Sequence, residues 1–422
     1  MDLLQQFSKI LHNQTARNGA LFAVFSFFNR GLGFILLIII AGFIDPEGYG
    51  HLNLYNLLVT LLSFFICLNS IGLISVNYFK KKYNDFRRTV TAVVFITIGC
   101  TVSLGILVFI LNQQIEVWTG LSFNLQLLAL LYCVLNVFSQ INLEIWRIQE
   151  KVITYGSYTA ALAILNFAIT ILFVVCLRDG WMGRIYAQIL VALLFFVISF
   201  IFLLKYRFIS SDTVPKKSDF VDCIKFGVPL IPHTLSFWIR QGLDRAIINN
   251  YQSMAWAGLF SFSFNFANII QILGDAFNAT NSVFIYKSLS SDSQENIIRR
   301  LRKQTVLIII FFAIVTFLVC VASRILIPIV FPEYKDATVF LLWQCLGAFF
   351  QCVYAQFVNF LFYYKKTNVL MSITISISLL HALLSVLLTR YSIMYTAYIG
   401  AFSSFLIMVC VFLYSRKLYK LF

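Results

Sequence analysis

The sequence predicts an all-α, polytopic membrane protein of about twelve transmembrane helices. They form two six-helix lobes related by a pseudo-two-fold axis along the membrane normal, with both termini cytoplasmic. Three observations predict this: the composition, an alternation of basic loops, and an internal repeat. Of 422 residues, 60% are hydrophobic and only 12% charged, and the mean hydropathy is +0.86. Soluble chains carry about 45–50% apolar and about 25% charged residues. A soluble enzyme, a secreted disulfide scaffold and a disordered chain are therefore excluded.

A helix crosses a bilayer with about 20 mostly apolar residues. Such runs occupy 18–44, 51–79, 89–111, 121–146, 155–177, 182–205, 224–250, 254–286, 304–330, 337–363, 367–389 and 393–415. The opening stretch is polar and mildly basic, so the first apolar run reads as a retained span and not as a cleaved signal. Eight of the nine cysteines lie inside apolar runs; Cys223 alone borders a loop, and no C-x-x-C pair exists. Free cysteine behaves as a small buried hydrophobe, so neither a disulfide nor a zinc site is expected, and no cofactor.

Basic residues set the orientation. One set of loops holds 23, among them Lys9, Lys80, Lys81, Arg87, Arg88, Arg147, Lys216, Arg299, Arg300, Lys365, Arg416 and Lys420. The opposite set holds four: Arg178, Arg184, Lys335 and Arg390. The net charge of +15 is thus mainly a topology signal, and nucleic acid is excluded as a partner. Trp118, Trp181, Tyr251, Trp256 and Tyr334 fall at outer span ends, where an aromatic belt belongs.

The halves resemble each other. Gly48-Tyr49-Gly50 opens span 2 and Ala255-Trp256-Ala257 opens span 8, while Ser75 to Lys80 and Ser282 to Lys287 close the same two spans. Both matches are offset by 207 positions. The expected organisation is a lobe over 1–205, a cytoplasmic linker over 206–223 and a second lobe over 224–422, with a substrate site between lobes.

Once the loop charges are set aside, Arg30, Lys225, Arg240, Arg245 and Arg324 remain in the spans. Lys225 and Arg324 lie toward span ends and can snorkel. Arg30 and Arg240 lie near the middle of spans 1 and 7, where a charge costs several kcal/mol on most scales and usually faces a cavity or a partner. Arg240 has Asp244 one turn on as a candidate ion-pair partner; Arg30 has no acid within a turn. Arg30, Arg240 and Arg245 together make a receptor for phosphate or pyrophosphate, since the guanidinium fork binds such oxygens bidentately.

Span 8 carries Ser261, Asn265, Asn268, Gln271, Asp275, Asn278 and Ser282 at helical spacing. Span 2 carries Asn53, Asn56, Thr60, Ser63, Cys67, Ser70 and Asn77. Interhelical hydrogen bonding explains some such residues, but seven on one helix point to a water-filled cavity able to hold sugar hydroxyls. Asp275, like Asp244, is a candidate counter-ion or proton carrier. Glu144 beside Arg147 reads as a salt bridge. His233 and His381 show no Ser, Asp or metal partner nearby and read as packed or hydrogen-bonded residues. Pro229 and Pro232 fall in the first turns of span 7, a candidate gate hinge, because proline removes backbone donors.

The run Gly227-Val228-Pro229-Leu230-Ile231-Pro232-His233, followed by Trp238, Asp244-Arg245 and Ile247, resembles the start of the C-terminal half of Wzx-type polysaccharide flippases. Asp45-Pro46-Glu47-Gly48-Tyr49-Gly50 is similar to that family's first outer loop, usually Pro-x-Glu-Tyr-Gly, with Gly48 as an insertion. The family belongs to the multidrug/oligosaccharidyl-lipid/polysaccharide exporter superfamily. The resemblance implies flipping of an undecaprenyl-pyrophosphate-linked oligosaccharide to the outer leaflet of the bacterial cytoplasmic (inner) membrane, for O-antigen or another surface polysaccharide. It implies membrane lipids as surroundings, a polysaccharide polymerase and a chain-length regulator as protein partners, and no enzymatic activity. Arg30 and Arg240 match the pyrophosphate-holding cavity arginines of related flippases by position, and Arg245 matches the family's Asp-Arg pair. Two other classes compete. A cation-coupled multidrug exporter would need an acidic cavity. A membrane polymerase or acyltransferase would need a large outer loop or a placed catalytic histidine.

Overall fold

The computed structural model describes residues 14–289, 294–364 and 366–418. Lys9, Lys365 and Lys420 of the topology count lie outside them. The helices, in chain order, are α1 (Gln14–Ala41), α2 (Pro46–Ile66), α3 (Ile71–Lys80), α4 (Tyr83–Thr119), α5 (Phe123–Ile148), α6 (Val152–Ile171) and α7 (Gly180–Lys205). There follow α8 (Lys217–Gly227), α9 (Ile231–Gln241), α10 (Leu243–Tyr251), α11 (Met254–Leu289), α12 (Gln294–Val330), α13 (Thr338–Tyr363), α14 (Thr367–Leu388) and α15 (Met394–Leu418). Eleven helical segments among the described residues are long and apolar enough to cross a membrane. The all-helical polytopic class is as expected.

Span 7 is where the count differs from twelve. In place of one helix, 224–250 contains the end of α8, a 3-10 turn at Val228–Leu230, α9, a break at Gly242, and α10. Pro229 and Pro232 account for the first break, since neither can donate to a continuing helix. Span 2 is also interrupted: Leu68 and Asn69 take positive φ values of 49° and 52° between α2 and α3. Non-glycine residues rarely adopt such angles, which cost of order 1–3 kcal/mol each.

The chain forms two compact units. The first runs to Ile44, resumes over Tyr55–Glu116 and continues over Leu121–Ile231. The second takes Asp45–Leu54, Val117–Gly120 and everything from Pro232. The passage from one to the other in span 7 therefore falls between Ile231 and Pro232.

Within the first unit, Trp146, Tyr158, Val191 and Phe195 form a core among α5, α6 and α7. Tyr158 sits between Ser139 and Ser199, with its hydroxyl 2.8 and 2.7 Å from theirs. The break in span 2 meets the break in span 7 here: a β-carbon at Gly227 would collide with the Leu68 carbonyl oxygen. The stretch expected as a linker is bonded to this unit. Arg87 donates to the Arg207 carbonyl (2.6 Å) and to Ser210 (3.0 Å), and Thr91 donates to the Phe208 carbonyl (3.0 Å). Asp219 starts α8 by accepting the Lys216 backbone N–H at 3.0 Å, so that its carboxylate replaces a missing intrahelical acceptor. The same carboxylate lies 3.7 Å from Lys81 and 3.4 Å from Arg88, while Lys81 reaches Asp222 at 2.9 Å.

The second unit has an aromatic centre at one end. The α2 start is capped by Asp45, whose side chain accepts the Gly48 N–H at 3.0 Å, with Pro46 in the first turn. This delivers Tyr49, fully buried, edge-on against the packed pair of Phe262 and Tyr334 at ring-centroid distances of 5.7 and 5.8 Å. The approach of α11 to α2 needs Gly258, whose missing β-carbon would overlap the Pro46 carbonyl oxygen. Away from that end, Ala267, Ile270, Phe312, Cys345 and Cys352 form a core among α11, α12 and α13.

Candidate functional site

The broken span 7 places three charged residues in the interior of the second unit. Arg240 ends α9. Its Nε–H reaches back weakly to the Ser236 carbonyl at 3.4 Å, and its guanidinium lies 4.9 Å from the centre of the Phe237 ring. That leaves the rest of the guanidinium facing a cavity of about 60 Å3, lined also by Asp244, Asn268, Gln271, Gln344 and Gln351. A water needs about 10–15 Å3 on this measure, so the cavity holds a handful of waters and no sugar ring with its shell. Gln344 donates to the Phe260 carbonyl at 3.1 Å, while its buried side-chain oxygen has no hydrogen-bond partner among the described residues. A buried acceptor of this kind needs water or a ligand donor.

Arg245, one turn beyond the Gly242 break, takes a different course. Its Nε–H donates to Ser261 at 2.9 Å and its guanidinium stacks 5.1 Å from the centre of the Phe264 ring. Phe264 lines the cavity, so Arg245 stands behind that wall. Asp244 is 3% exposed, and the ion pair with Arg240 suggested by their spacing is replaced by other partners. His381 Nε2 lies 3.1 Å from its Oδ1, and Ser385 donates to the same oxygen at 2.9 Å. The reading of His381 as lacking such partners is thus corrected: α14 brings it to Asp244, and its Nδ1 lies 3.0 Å from Ser403 of α15. Separations of 137 and 22 residues hid both contacts. The one available signal was a histidine and a serine one turn apart, His381 and Ser385, in an apolar span.

The remaining candidates are dispersed. Arg30 belongs to the first unit, in the unbroken α1, with an exposed side chain. Of the span 8 stripe, Asn268 and Gln271 line the cavity. Asn265 donates to the Tyr49 hydroxyl at 2.6 Å, and Asn278 accepts from Asn359 of α13 at 2.8 Å. Asp275 is exposed. Of the span 2 stripe, Asn53 donates to the Tyr49 carbonyl at 2.7 Å and belongs to the second unit. Asn56 and Thr60 belong to the first, where Thr60 donates to the Asn56 carbonyl at 2.8 Å. Pro229 and Pro232 flank the passage between units in span 7.

A many-spanned helical membrane protein with a broken span that carries charges in its interior has the build of a secondary transporter. A family model described as polysaccharide biosynthesis protein matches residues 15–285, and the chain belongs to that family. It is 23% identical over 400 residues to a Haemophilus influenzae protein named Lsg locus putative protein 1, covering 92% of this chain and 94% of that one. An uncharacterized membrane protein of the same bacterium is 24% identical over 342 residues, with 79% and 80% covered. Among solved structures, the chain is similar to the lipid II flippase MurJ in an inward closed conformation, with a TM-score of 0.74, 14% identity, and 94% and 87% covered. It is also similar to an inward-facing multidrug resistance MATE family transporter of the MOP superfamily, with a TM-score of 0.71, 13% identity, and 92% and 93% covered. The family and the fold agree with the resemblance drawn from the span 7 motif.

Proposed function

We propose that this protein flips undecaprenyl-pyrophosphate-linked oligosaccharide repeat units from the cytoplasmic to the outer leaflet of the bacterial inner membrane, for O-antigen or another surface polysaccharide. It does so by alternating access, without a cofactor and without chemical change to the substrate, with both termini cytoplasmic. The observation that carries the reading is the Arg240 guanidinium, held at the end of a broken intramembrane helix and facing a cavity whose wall carries Asp244 and the amides of Asn268, Gln271, Gln344 and Gln351. Family membership supports a polysaccharide precursor as substrate, and the fold shared with MurJ supports a lipid-linked one. In this reading Arg240 holds the pyrophosphate, and Arg245, behind the Phe264 wall, adds positive charge. Asn268 and Gln271 meet polar substrate groups or the waters around them, and Pro229 and Pro232 act as the hinge. A polymerase and a chain-length regulator receive the product.

The fold shared with MATE transporters favours a second reading, a cation-coupled multidrug exporter. A cationic drug requires net negative charge where it binds, and Arg240 at the cavity wall disfavours it.

The test is surface polysaccharide in cells carrying Arg240→Ala. Polymer should be lost while the protein still inserts, with lipid-linked repeat units accumulating on the cytoplasmic leaflet. Arg240→Lys should restore only part, because the charge returns without the fork. Normal polymer in the alanine variant would remove Arg240 from the site.

A further inference from the structure

We propose that Asp244 and His381 form a single-proton binding site, and that its occupancy sets the net charge presented beside Arg240. Ser403 has one hydroxyl hydrogen and two acceptors within reach, the Ile399 carbonyl at 2.7 Å and His381 Nδ1 at 3.0 Å. In the state where the carbonyl takes it, Ser403 can only accept from His381, so Nδ1 carries a hydrogen. On the other side of the ring, Nε2 lies 3.1 Å from an Asp244 oxygen that already accepts from Ser385. Two lone pairs cannot face each other at that distance, so in this state one further proton lies between Nε2 and the carboxylate. Whether it sits on nitrogen as imidazolium–carboxylate or on oxygen as imidazole–carboxylic acid, the pair is neutral.

Removing that proton does not leave the site unsatisfied. The hydrogen on Nδ1 is replaced by one on Nε2, which donates to Asp244. Ser403 then turns its hydrogen from the Ile399 carbonyl to the bare Nδ1. Ile399 sits inside α15, where the backbone ladder supplies carbonyls with their partner, so this rotation costs little. The site thus has two fully bonded states that differ by one proton and one unit of charge. Both residues are removed from solvent, at 3% and 0% exposure, so that unit of charge is weakly screened.

The groups facing the pair come from several helices. Arg245, beside Asp244 on α10, acts on it electrostatically and has Tyr49 of α2 as a neighbour. Arg240 of α9 lines the same cavity as Asp244 and has Tyr354 of α13 as a neighbour. Among the cavity-lining residues described on α15, the polar side chains are the hydroxyls of Thr396, Ser403 and Ser404. With the proton absent, the carboxylate balances one arginine. With it present, the full guanidinium charge is available to an external anion. Proton and anion therefore bind cooperatively. That consequence rests on the anion site proposed for Arg240, whereas the proton site itself does not.

The experiment uses the full chain in lipid nanodiscs with 15N-labelled histidine. The sequence has four histidines, and His381→Gln assigns the signal. Between about pH 5 and about pH 9 the wild-type His381 ring should pass from a state with Nδ1 protonated to one with only Nε2 protonated. Asp244→Asn should abolish that change. An unchanged ring across this range in the wild type, which needs no variant to fold, would overturn the proposal; so would the same transition in Asp244→Asn. Sulfate, whose charge is constant over the range, is the anion probe. It should bind the wild type roughly tenfold more tightly at the acidic end than at the alkaline end. Equal sulfate affinity at both ends would overturn the charge link. An imidazole transition with no sulfate affinity at any pH would uphold the proton site and instead overturn the anion role of Arg240.

Discussion

Spans 1 and 7 stand in corresponding places of the repeat, and each carries an arginine near its middle, yet their local structures differ. Span 1 is the continuous α1, in which Arg30 is exposed. Span 7 is broken twice, and around its second break Arg240, Asp244 and Arg245 each find a separate environment. Glycine alone does not make the difference, because α1 contains Gly31 and Gly33 and does not break. Proline at 229 and 232 removes backbone donors at the first break. Broken helices at membrane depth are tolerated where protein or a water-filled cavity satisfies them, and the second unit supplies both. Repeat symmetry therefore marks where two functional spans could be, while the breaks mark the one that holds the buried polar network.

The widest gap between the two spans should appear on removing a charge from each. Asp244→Ala leaves His381 and Ser385 without their acceptor and Arg245 without a neighbouring carboxylate, all in the interior. Breaking a buried pair in this way costs about 3–5 kcal/mol. Arg30→Ala, at an exposed side chain, should cost less than that. Thermal unfolding of the purified protein in detergent measures both, and a mild Asp244→Ala variant would break the comparison.

Next in size is Gly258→Val, which tests whether the second unit depends on the close approach of α11 to α2. The added side chain meets the Pro46 carbonyl, and backbone cannot yield as a flexible side chain can. Overpacking of this kind costs typically about 1–3 kcal/mol. The variant should also disturb Tyr49, which changes near-ultraviolet circular dichroism. An unchanged spectrum with unchanged stability would mean the two helices can separate without penalty.

Much of the fold was legible because hydropathy and loop charge are local signals. Runs near 89–111 and 367–389 read as spans because lipid admits little else. The break at Leu68–Asn69 was not legible, since Leu68 does not favour a positive φ, one Asn in an apolar run is a weak signal, and the close approach of Gly227 to the Leu68 carbonyl comes from a distant part of the sequence. The site was legible in part. Arg240 stood out because charge at that depth is costly, whereas His381 did not, because its partners come from other spans. The span 8 stripe shows the limit of periodicity. A shared helical face sends Asn265 to Tyr49, Gln271 to a cavity and Asn278 to α13, because a helix of 36 residues passes several neighbours.

A contrast between the units also shows in where charge is paired. The second unit pairs Asp244 in its interior, whereas the first pairs Asp219 with Lys81 and Arg88 near the ends of its helices. Asp219→Ala should cost about 1–2 kcal/mol, because it removes a helix cap together with two ion pairs. Thermal unfolding again measures it, and a Asp219→Asn variant that recovers most of the loss would assign the effect to the cap.

The smallest effect is expected at Lys81, whose ammonium sits 2.9 Å from Asp222 and 3.7 Å from Asp219. Partial burial alone would lower its pKa, but the Asp222 and Asp219 carboxylates outweigh that and hold it above the usual lysine range. A cation whose folded-state pKa is raised stabilises the fold fully below its unfolded value of about 10.4, and loses that contribution as pH rises through the folded value. Lys81→Ala should therefore lower stability by about 0.2–1 kcal/mol, by the same amount across neutral pH. On going to alkaline pH the difference from wild type should shrink only above about pH 10, and added salt should reduce it because the pair is partly exposed. No difference at neutral pH would mean that Lys81 contributes nothing through either carboxylate, leaving Arg88 as the cation that ties Asp219 to the neighbouring helix.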